Sequence, residues 1–183
     1  NVPIFYIPKL SHPDPSVERQ SGFLKPQLNN SNILGNSITL PYFLASEINK
    51  DFTITPTLFD DNIKMLQTEF RHVGKNSILV TDFGFTRGYK SKFLNKKKNI
   101  SHFFGKLDID LNLDKFNSSK FYLNLQKISS DTYLKVFDNN IVNKKLKPDN
   151  FDELKNELKI DLNHKKYTFN SGFRAFENLQ KKN

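Results

Sequence analysis

The sequence has 183 residues, which is enough for one ordinary domain, and its composition excludes several classes of site. It contains no cysteine, so disulfides and thiolate metal sites are excluded. The sequence contains no run of about 18 apolar residues, so it predicts no membrane-spanning helix. Hydrophobic residues make up 37% and aromatic residues 13%, whereas alanine occurs only at Ala45 and Ala175. Large apolar side chains without small ones suit a sheet better than a helical bundle.

The net charge is +9, from 28 basic and 19 acidic residues. Such a charge suits a nucleic-acid surface or an anionic-lipid surface. A bias toward AT-rich codons is the simpler explanation, because asparagine, lysine, isoleucine and phenylalanine are all abundant. No cluster of arginine and aromatic residues that could read bases occurs. The charge therefore identifies no partner, and we predict no binding to nucleic acid.

The chain begins without a methionine, a basic segment or a cleavage site, so no signal peptide is visible. We expect the chain to be a fragment of a longer protein. A stiff, turn-rich linker is predicted near the start, because two prolines separated by one residue restrict the backbone. An ordinary surface loop explains the same residues equally well. The predicted linker contains His12, Pro13, Asp14, Pro15 and Arg19.

Hydrophobicity alternates with a period of two along most of the chain, which predicts β-strands. The clearest segment is 103–114. One parity there is mainly apolar: Phe103, Gly105, Leu107, Ile109, Leu111 and Leu113. The other parity carries Phe104, Lys106, Asp108, Asp110, Asn112 and Asp114. We predict that Lys106, Asp108, Asp110, Asn112 and Asp114 face a wet interior and that the apolar residues face lipid.

Turn signals divide the chain into about nine strands, which form an antiparallel meander of hairpins. The predicted strands 77–90 and 100–115 exceed the length usual in globular proteins. A transmembrane β-barrel has long strands with longer loops on one side and tight turns on the other. The sequence favours this arrangement, because loops are predicted on one side near residues 31, 61, 95 and 140. A soluble antiparallel sheet is the alternative. Segment 149–157 is compatible with a short helix, but we expect a loop leading into a strand.

The first seventy residues also resemble a known family. Segments 2–8, 11–17 and 19–26 resemble the junction between the periplasmic domain and the barrel of the LPS-assembly outer-membrane protein LptD (OstA) family. Segments 40–43, 51–56 and 69–72 resemble, in order, the second, third and fourth barrel strands of that family. Weaker resemblance continues at 130–135 and 176–179.

This resemblance implies an all-β fold: a partial, open transmembrane β-barrel preceded by the last strand of a periplasmic β-jellyroll. Residues 1–20 would end the jellyroll and form the hinge, and 21–183 would form the first barrel strands. It implies that Pro26 and Pro41 belong to a lateral gate, since proline removes a hydrogen bond from a strand ladder. Simple protection of a sheet edge is the alternative. Pro56 is interpreted as a bulge or bend outside the gate.

The resemblance implies transport of lipopolysaccharide into the outer leaflet of the bacterial outer membrane. The implied partners are lipopolysaccharide, a plug lipoprotein of the LptE type and a periplasmic bridge of jellyrolls, and the implied location is the outer membrane with an N-terminal part in the periplasm. We expect no cofactor and no enzymatic activity. The rival functions are another outer-membrane barrel, such as a porin, and a soluble basic β-domain that binds nucleic acid or another protein.

Three other groups of residues are candidates for chemistry. Asp108 and Asp110 could act as paired acids, but they recur at strand spacing among polar neighbours, which favours a solvated face. The four histidines, His12, His72, His102 and His164, are dispersed and lack the spacing of metal ligands. The run 96–98 of three lysines in a predicted outer loop could contact lipopolysaccharide phosphates, although a solvated charge run is the simpler explanation.

Overall fold

The computed structural model describes residues 19–60, 62–90 and 98–180. They form one antiparallel sheet that does not close on itself, in which neighbouring strands are mostly consecutive in the chain. The strands are β1 (Gly22–Phe23), β2 (Gln27–Ser31), β3 (Gly35–Thr39), β4 (Tyr42–Glu47), β5 (Lys50–Phe59), β6 (Lys64–Val73), β7 (Ser77–Tyr89), β8 (Lys98–Asp110), β9 (Ser118–Ile128), β10 (Glu153–Asn163) and β11 (Thr168–Asn178).

The first four strands occupy only two strand positions in the sheet. We call each strand position a path, and we call the outermost one, which contains β1 and β2, the edge path. β3 and β4 pair with successive parts of β5, and β2 and β1 pair with β3 and β4 in turn. Counted as paths, the eleven strands therefore give the nine that the sequence predicts. The all-β antiparallel meander is confirmed.

Connections alternate between the two ends of the sheet. The connections after β2, β5, β7 and β9 leave one end, which we call the loop end. Those after β4, β6, β8 and β10 leave the other, which we call the turn end. This arrangement follows from the antiparallel pairing, and it places the two longest connections on the same side, as predicted.

The two faces of the sheet differ in chemistry because successive side chains of a strand point to opposite sides. We call the face that carries Asp82 and His102 the inner face, and the opposite one the outer face. The outer face is mainly apolar and largely uncovered. Its exposed side chains are Leu28, Ile38, Leu58, Leu66, Phe83, Phe85, Phe103, Leu125, Leu158, Phe169 and Phe173.

The strand predicted over 100–115 is shorter at its end than the sequence suggested. β8 ends at Asp110, and Asn112 adopts a left-handed backbone with φ of 48°. Asparagine tolerates this conformation better than most residues, so it starts the turn toward β9. Asn112 and Asp114 consequently lie in the turn-end connection and not on the strand.

The connection from β9 to β10 is the main feature that the strand pattern did not predict. It contains a helix, α1 (Tyr133–Phe137), followed by a 3-10 turn (Asp138–Asn140). We call residues 129–152 the insert. A loop leading into a strand was correctly expected over 149–157, since β10 begins at Glu153. In the part of the chain that the structure describes, no helix is long and apolar enough to cross a membrane.

The insert packs on the inner face near the loop end and creates the hydrophobic core of the described residues. Tyr133, Leu134 and Phe137 are completely buried there. Their spacing places them on one side of the short helix. Around them lie apolar inner-face residues from the loop ends of the strands: Phe59, Ile63, Met65, Ile100, Phe104 and Ile128.

Candidate functional site

The ladder between the first two paths of the sheet lacks a hydrogen bond at Pro41. The backbone N–H of Leu24 donates to the carbonyl of Pro41 at 2.8 Å. In a regular antiparallel pair the two residues would exchange a second hydrogen bond. Proline has no N–H to donate, so the Leu24–Pro41 pair keeps one bond of two. Pro41 therefore weakens the contact between the edge path and its neighbour.

Pro26 lies at an irregularity in the same ladder. Phe23 pairs with Tyr42, and Gln27 pairs with Thr39. Three residues of the edge path, 24–26, thus face only two of its neighbour, 40–41. This one-residue excess is a β-bulge, which interrupts pairing and bends the strand. Pro26 and Pro41 consequently lie at the same level of the sheet, where both the first and the second path are interrupted.

Pro56 affects hydrogen bonding one path further into the sheet. It lies inside the continuous strand β5, where its carbonyl accepts a hydrogen bond from the N–H of Leu40 at 3.1 Å. Because the nitrogen of a strand residue points to the same side as its oxygen, the missing N–H of Pro56 affects the ladder between β5 and the second path. Pro26, Pro41 and Pro56 thus form a row across the first three paths.

Arg19 connects the start of the described chain to the inner face at the turn end. Its guanidinium forms a salt bridge with Asp51 on β5 and donates to the carbonyl of Ile48 at 3.2 Å. It also lies 5.5 Å from the centre of the Phe43 ring. Arg71 on β6 shares the Asp51 carboxylate at 2.7 Å. Of the predicted hinge residues, His12, Pro13, Asp14 and Pro15 lie outside the described residues.

The charged residues predicted to face the interior divide into two groups. Lys106, Asp108 and Asp110 lie on β8 with the same parity as the buried residue His102, which places them on the inner face. Lys106 reaches the insert and donates from Nζ to the carbonyl of Lys145 at 2.7 Å. Asn112 and Asp114 are displaced into the turn-end connection described above.

Polar side chains of β6 bind the insert through its backbone and through one of its side chains. Gln67 is almost fully buried, and its amide donates to the carbonyl of Asn140 at 2.6 Å and accepts from the N–H of Val142 at 3.2 Å. Glu69 accepts a hydrogen bond from the side chain of Asn143 at 2.7 Å. A polar inner face is therefore used here as a docking surface for a part of the same chain.

A buried polar group lies beneath α1. The Nδ1 atom of His102 is 2.7 Å from the Tyr133 hydroxyl, and its Nε2 atom is 3.5 Å from the Asp82 carboxylate. All three side chains are nearly inaccessible to solvent. The His102 ring packs directly over Gly84, where any Cβ would overlap the ring. Burial raises the pKa of the Tyr133 phenol above its ordinary value of 10.0.

Sequence reasoning missed this group, since its members come from β7, β8 and the insert. Histidine spacing along the chain gave no signal, because His102 meets its partners across strands. One signal was present at Phe104, an apolar residue on the otherwise charged parity of 103–114. Phe104 marks the dry patch where α1 packs, and its ring stacks on that of His102 with centroids 4.5 Å apart.

The described residues give little support to the other candidate sites, which are a metal site, the lysine run and the paired acids. They contain no group of three or more His, Cys, Asp or Glu side chains that could hold a metal ion. Lys98 opens β8, while Lys96 and Lys97 lie outside the described ranges. Asp108 and Asp110 follow the alternation of a strand face, and Asp110 accepts a hydrogen bond from the backbone N–H of Asn112 at 3.2 Å.

Comparison with known proteins identifies several relatives, although no family model matches the chain. The LPS-assembly protein LptD of Cupriavidus necator is 27% identical over 181 residues, which are 98% of this chain and 20% of that protein. The LPS-assembly protein LptD of Legionella pneumophila is 28% identical over 156 residues, 76% of this chain and 18% of the relative. That of Nitrosomonas eutropha is 29% identical over 153 residues, 78% and 18% respectively. The chain spans about a fifth of the length of these relatives.

Proposed function

Because the chain is related to the LptD proteins along most of its length, we propose that it is part of an outer-membrane protein that delivers lipopolysaccharide to the outer leaflet through a lateral gate. The observation that carries this proposal is that the two faces of the sheet differ in chemistry next to a weakened edge. An apolar outer face suits lipid, a polar inner face suits an aqueous interior, and the Leu24–Pro41 pair has lost one hydrogen bond.

The two faces match the two halves of the proposed cargo. Lipopolysaccharide carries acyl chains on one side and a charged saccharide on the other. Acyl chains gain free energy beside exposed outer-face residues such as Leu28 and Ile38. The saccharide remains hydrated beside the inner face. A lipid that crosses at the edge path can thus keep both halves in suitable surroundings.

Pro26 and Pro41 would form the gate on the side of the first strand. Separating strands costs the free energy of the hydrogen bonds between them, about 0.5–1.5 kcal/mol each. The bulge at Pro26 and the missing donor at Pro41 lower that cost at one level of the sheet. No chemical step is involved, so the proposed role is transport and not catalysis.

The remaining assignments follow from the proposal. Residues 1–20 would be the end of a periplasmic jellyroll and its hinge, and 21–183 the first strands of a barrel completed by other parts of the protein. Arg19 would fix the direction in which the chain enters, since it binds Asp51 at the turn end. Lys106, Asp108 and Asp110 would line the interior, open to the saccharide or to a plug lipoprotein of the LptE type. A jellyroll bridge would deliver the lipid from the periplasm.

Depletion of the complete protein tests the proposal. A strain in which its expression can be switched off should lose newly made lipopolysaccharide from the cell surface and accumulate it inside the envelope. Re-expression should restore surface delivery. Surface labelling of lipopolysaccharide at fixed times measures both effects. Normal surface lipopolysaccharide after complete depletion would contradict the proposed function.

A further inference from the structure

A polar cleft lies between the edge path and the insert at the loop end of the inner face. It has a volume of about 450 Å³, which falls within the range of small-molecule sites. One wall is β2, which contributes Gln27 and Asn29, and Thr39 of β3 lies beside them. The opposite wall is the insert, which contributes Asn139 and Lys144.

The cleft is lined by side-chain amides that have no partner among the described residues. Among hydrogen bonds between described residues, none uses the side-chain amide of Gln27, Asn29 or Asn139. Each amide offers both a donor and an acceptor, which is what a ring of hydroxyl groups requires. By contrast, Thr39 has a partner, because its hydroxyl lies 2.8 Å from that of Thr57. The cleft thus presents unused hydrogen-bonding groups that belong to two separate elements.

Its charge favours an anion. Lys144 lines the cleft, and none of the salt bridges between described residues involves its ammonium group. The residues that line the cleft include no aspartate or glutamate. Several other cations of the inner face are paired with carboxylates, as in Arg71 with Asp51 and Lys159 with Glu157. An ammonium group without a carboxylate beside it attracts phosphate.

The position of the cleft relates it to the weakened edge. Gln27 and Asn29 lie on the inner face of β2, as does Ser31, whereas Leu28 points outward and is 79% exposed. β2 is therefore polar on the cleft side, while its opposite side carries the exposed Leu28 together with Asn30. It begins immediately after the bulge at Pro26. A molecule with a phosphorylated saccharide and acyl chains would meet both of its preferred surroundings across this single strand.

We propose that this cleft binds the phosphorylated saccharide portion of lipopolysaccharide while its acyl chains lie against Leu28 and Ile38 on the outer face. The inference rests on the proposed function, and it names the contact that the cargo makes at the edge. Amides of Gln27, Asn29 and Asn139 hydrogen-bond sugar hydroxyls, and Lys144 pairs with a phosphate. The insert thereby has a role beyond covering the inner face, since it supplies half of the site.

Binding of a defined probe to the complete protein in detergent tests the inference. The probe is deacylated, phosphorylated core oligosaccharide, measured by calorimetry against the wild type and the Asn29→Asp, Asn139→Asp double variant. Both substitutions keep the shape of the side chain and add negative charge near the phosphate. Affinity should fall by about tenfold or more, because like charges a few ångströms apart repel. The dephosphorylated oligosaccharide should show a much smaller difference between the two proteins.

A matched control uses two of the same substitutions elsewhere. Asn163→Asp, Asn170→Asp adds equal charge on β10 and β11, in the paths furthest from the edge, and should leave affinity unchanged. Heat-dependent gel mobility shows whether each variant forms a barrel. If the double variant fails to form one, Lys144→Gln on the exposed part of the insert replaces it, and affinity for the phosphorylated probe should again fall.

Equal affinity of wild type and cleft variants for the phosphorylated oligosaccharide would overturn the inference, as would equal losses in the matched control. The depletion experiment separates this failure from that of the proposed function. If depletion abolishes surface delivery while cleft variants bind normally, only the cleft assignment is wrong. If depletion leaves surface delivery intact, the proposed function itself is wrong.

Discussion

At the scale of single residues, prolines remove individual hydrogen bonds from the ladders of the sheet. Pro41 removes one from the ladder next to the edge, and Pro56 removes one from the following ladder. The two prolines are chemically equal and differ only in the ladder that they affect. This difference allows the proposed gate to be tested against general weakening of the sheet.

Replacing Pro41 by alanine should slow lipopolysaccharide delivery in the complete protein. The new N–H faces the carbonyl of Leu24 and restores about 0.5–1.5 kcal/mol of hydrogen bonding across the edge ladder. If separation of that ladder limits the rate, delivery should slow by roughly 2- to 10-fold. A combined Pro26→Ala, Pro41→Ala variant should be slower still. Timed surface labelling of lipopolysaccharide measures the rate.

Pro56→Ala is the control for this prediction. It restores a donor to the ladder between β5 and the second path, which need not separate in the proposed mechanism. Its delivery rate should equal that of the wild type. Equal slowing by Pro41→Ala and Pro56→Ala would show that overall sheet stability matters and that the edge has no special role. Normal delivery in the Pro26, Pro41 double variant would remove these prolines from the gate.

Sequence reasoning at this scale succeeded where chemistry follows from strand parity and failed where partners meet across strands. The parity of Lys106, Asp108 and Asp110 placed them together on one face, as the structure shows. The partners of His102 could not be predicted, because Asp82 and Tyr133 are separated from it by 20 and 31 residues. The register of β7 and β8 and the packing of the insert on the sheet together bring these side chains into contact.

At the scale of elements, strands were predictable and the helix of the insert was not. Alternation over ten or more residues, as in β5 and β8, gives a repeated signal. The helix α1 has five residues, which is too short for a helical period to emerge. Its stability comes from burial on the sheet and not from its own sequence. The ends of strands were also less predictable than their centres, as Asn112 illustrates.

Packing of the insert should depend on Phe137. This side chain is fully buried against Phe59 and Tyr89, so Phe137→Ala removes buried aromatic surface and leaves a cavity. We expect the free energy of opening the insert to fall by about 3–5 kcal/mol. Hydrogen exchange of the backbone amides in 133–141 measures this change. Val142→Ala, at a side chain that is 41% exposed, should change exchange little.

Loss of the insert from the inner face should also make the complete protein more permeable. Phe137→Ala cells should take up large antibiotics more readily, because the insert covers part of the interior at the loop end. Val142→Ala cells should resemble the wild type. Faster exchange in 133–141 without any change in antibiotic sensitivity would mean that another part of the protein closes the interior.

The buried phenol of Tyr133 should make insert packing sensitive to alkaline pH. Burial raises its pKa in the packed state, whereas the released side chain ionises near 10.0. The contribution to packing is therefore complete below about pH 10 and is lost as the pH rises further. Ultraviolet absorbance of the phenolate and amide exchange in 133–141 should change together. Tyr133→Phe should remove the pH dependence while weakening packing by about 1–3 kcal/mol. Unchanged pH dependence in that variant would contradict the assignment.

At the scale of the whole molecule, the described residues form a sheet with two unpaired edges and one uncovered apolar face. Among the described strands, β11 pairs only with β10, and the path of β1 and β2 pairs only with β3 and β4. The inner face has a core of its own beneath the insert, but the outer face has none. Leu107 and Ile109, which the sequence placed against lipid, lie on that outer face and are not enclosed in a dry interior.

This asymmetry predicts how the isolated chain behaves. In water, exposed residues such as Phe169 and Phe173 on β11 would gain free energy by contact with other chains, at about 25 cal/mol for each Å² covered. The free N–H and C=O groups of the edges would pair with any available strand. We therefore expect residues 1–183 to aggregate without detergent and to stay dispersed in micelles. Light scattering after refolding with and without detergent measures the difference.

A second variant distinguishes the outer face from the edges as the cause. Replacing Phe169 and Phe173 by threonine removes apolar surface from the outer side of β11 and leaves its backbone edge intact. If contact between outer faces dominates, the variant should need less detergent to stay dispersed. If edge pairing dominates, it should aggregate as the wild type does, because the ladder of β11 is still open. A monodisperse, cooperatively melting wild-type chain in plain buffer would contradict both, and would favour a soluble β-domain over a part of a membrane barrel.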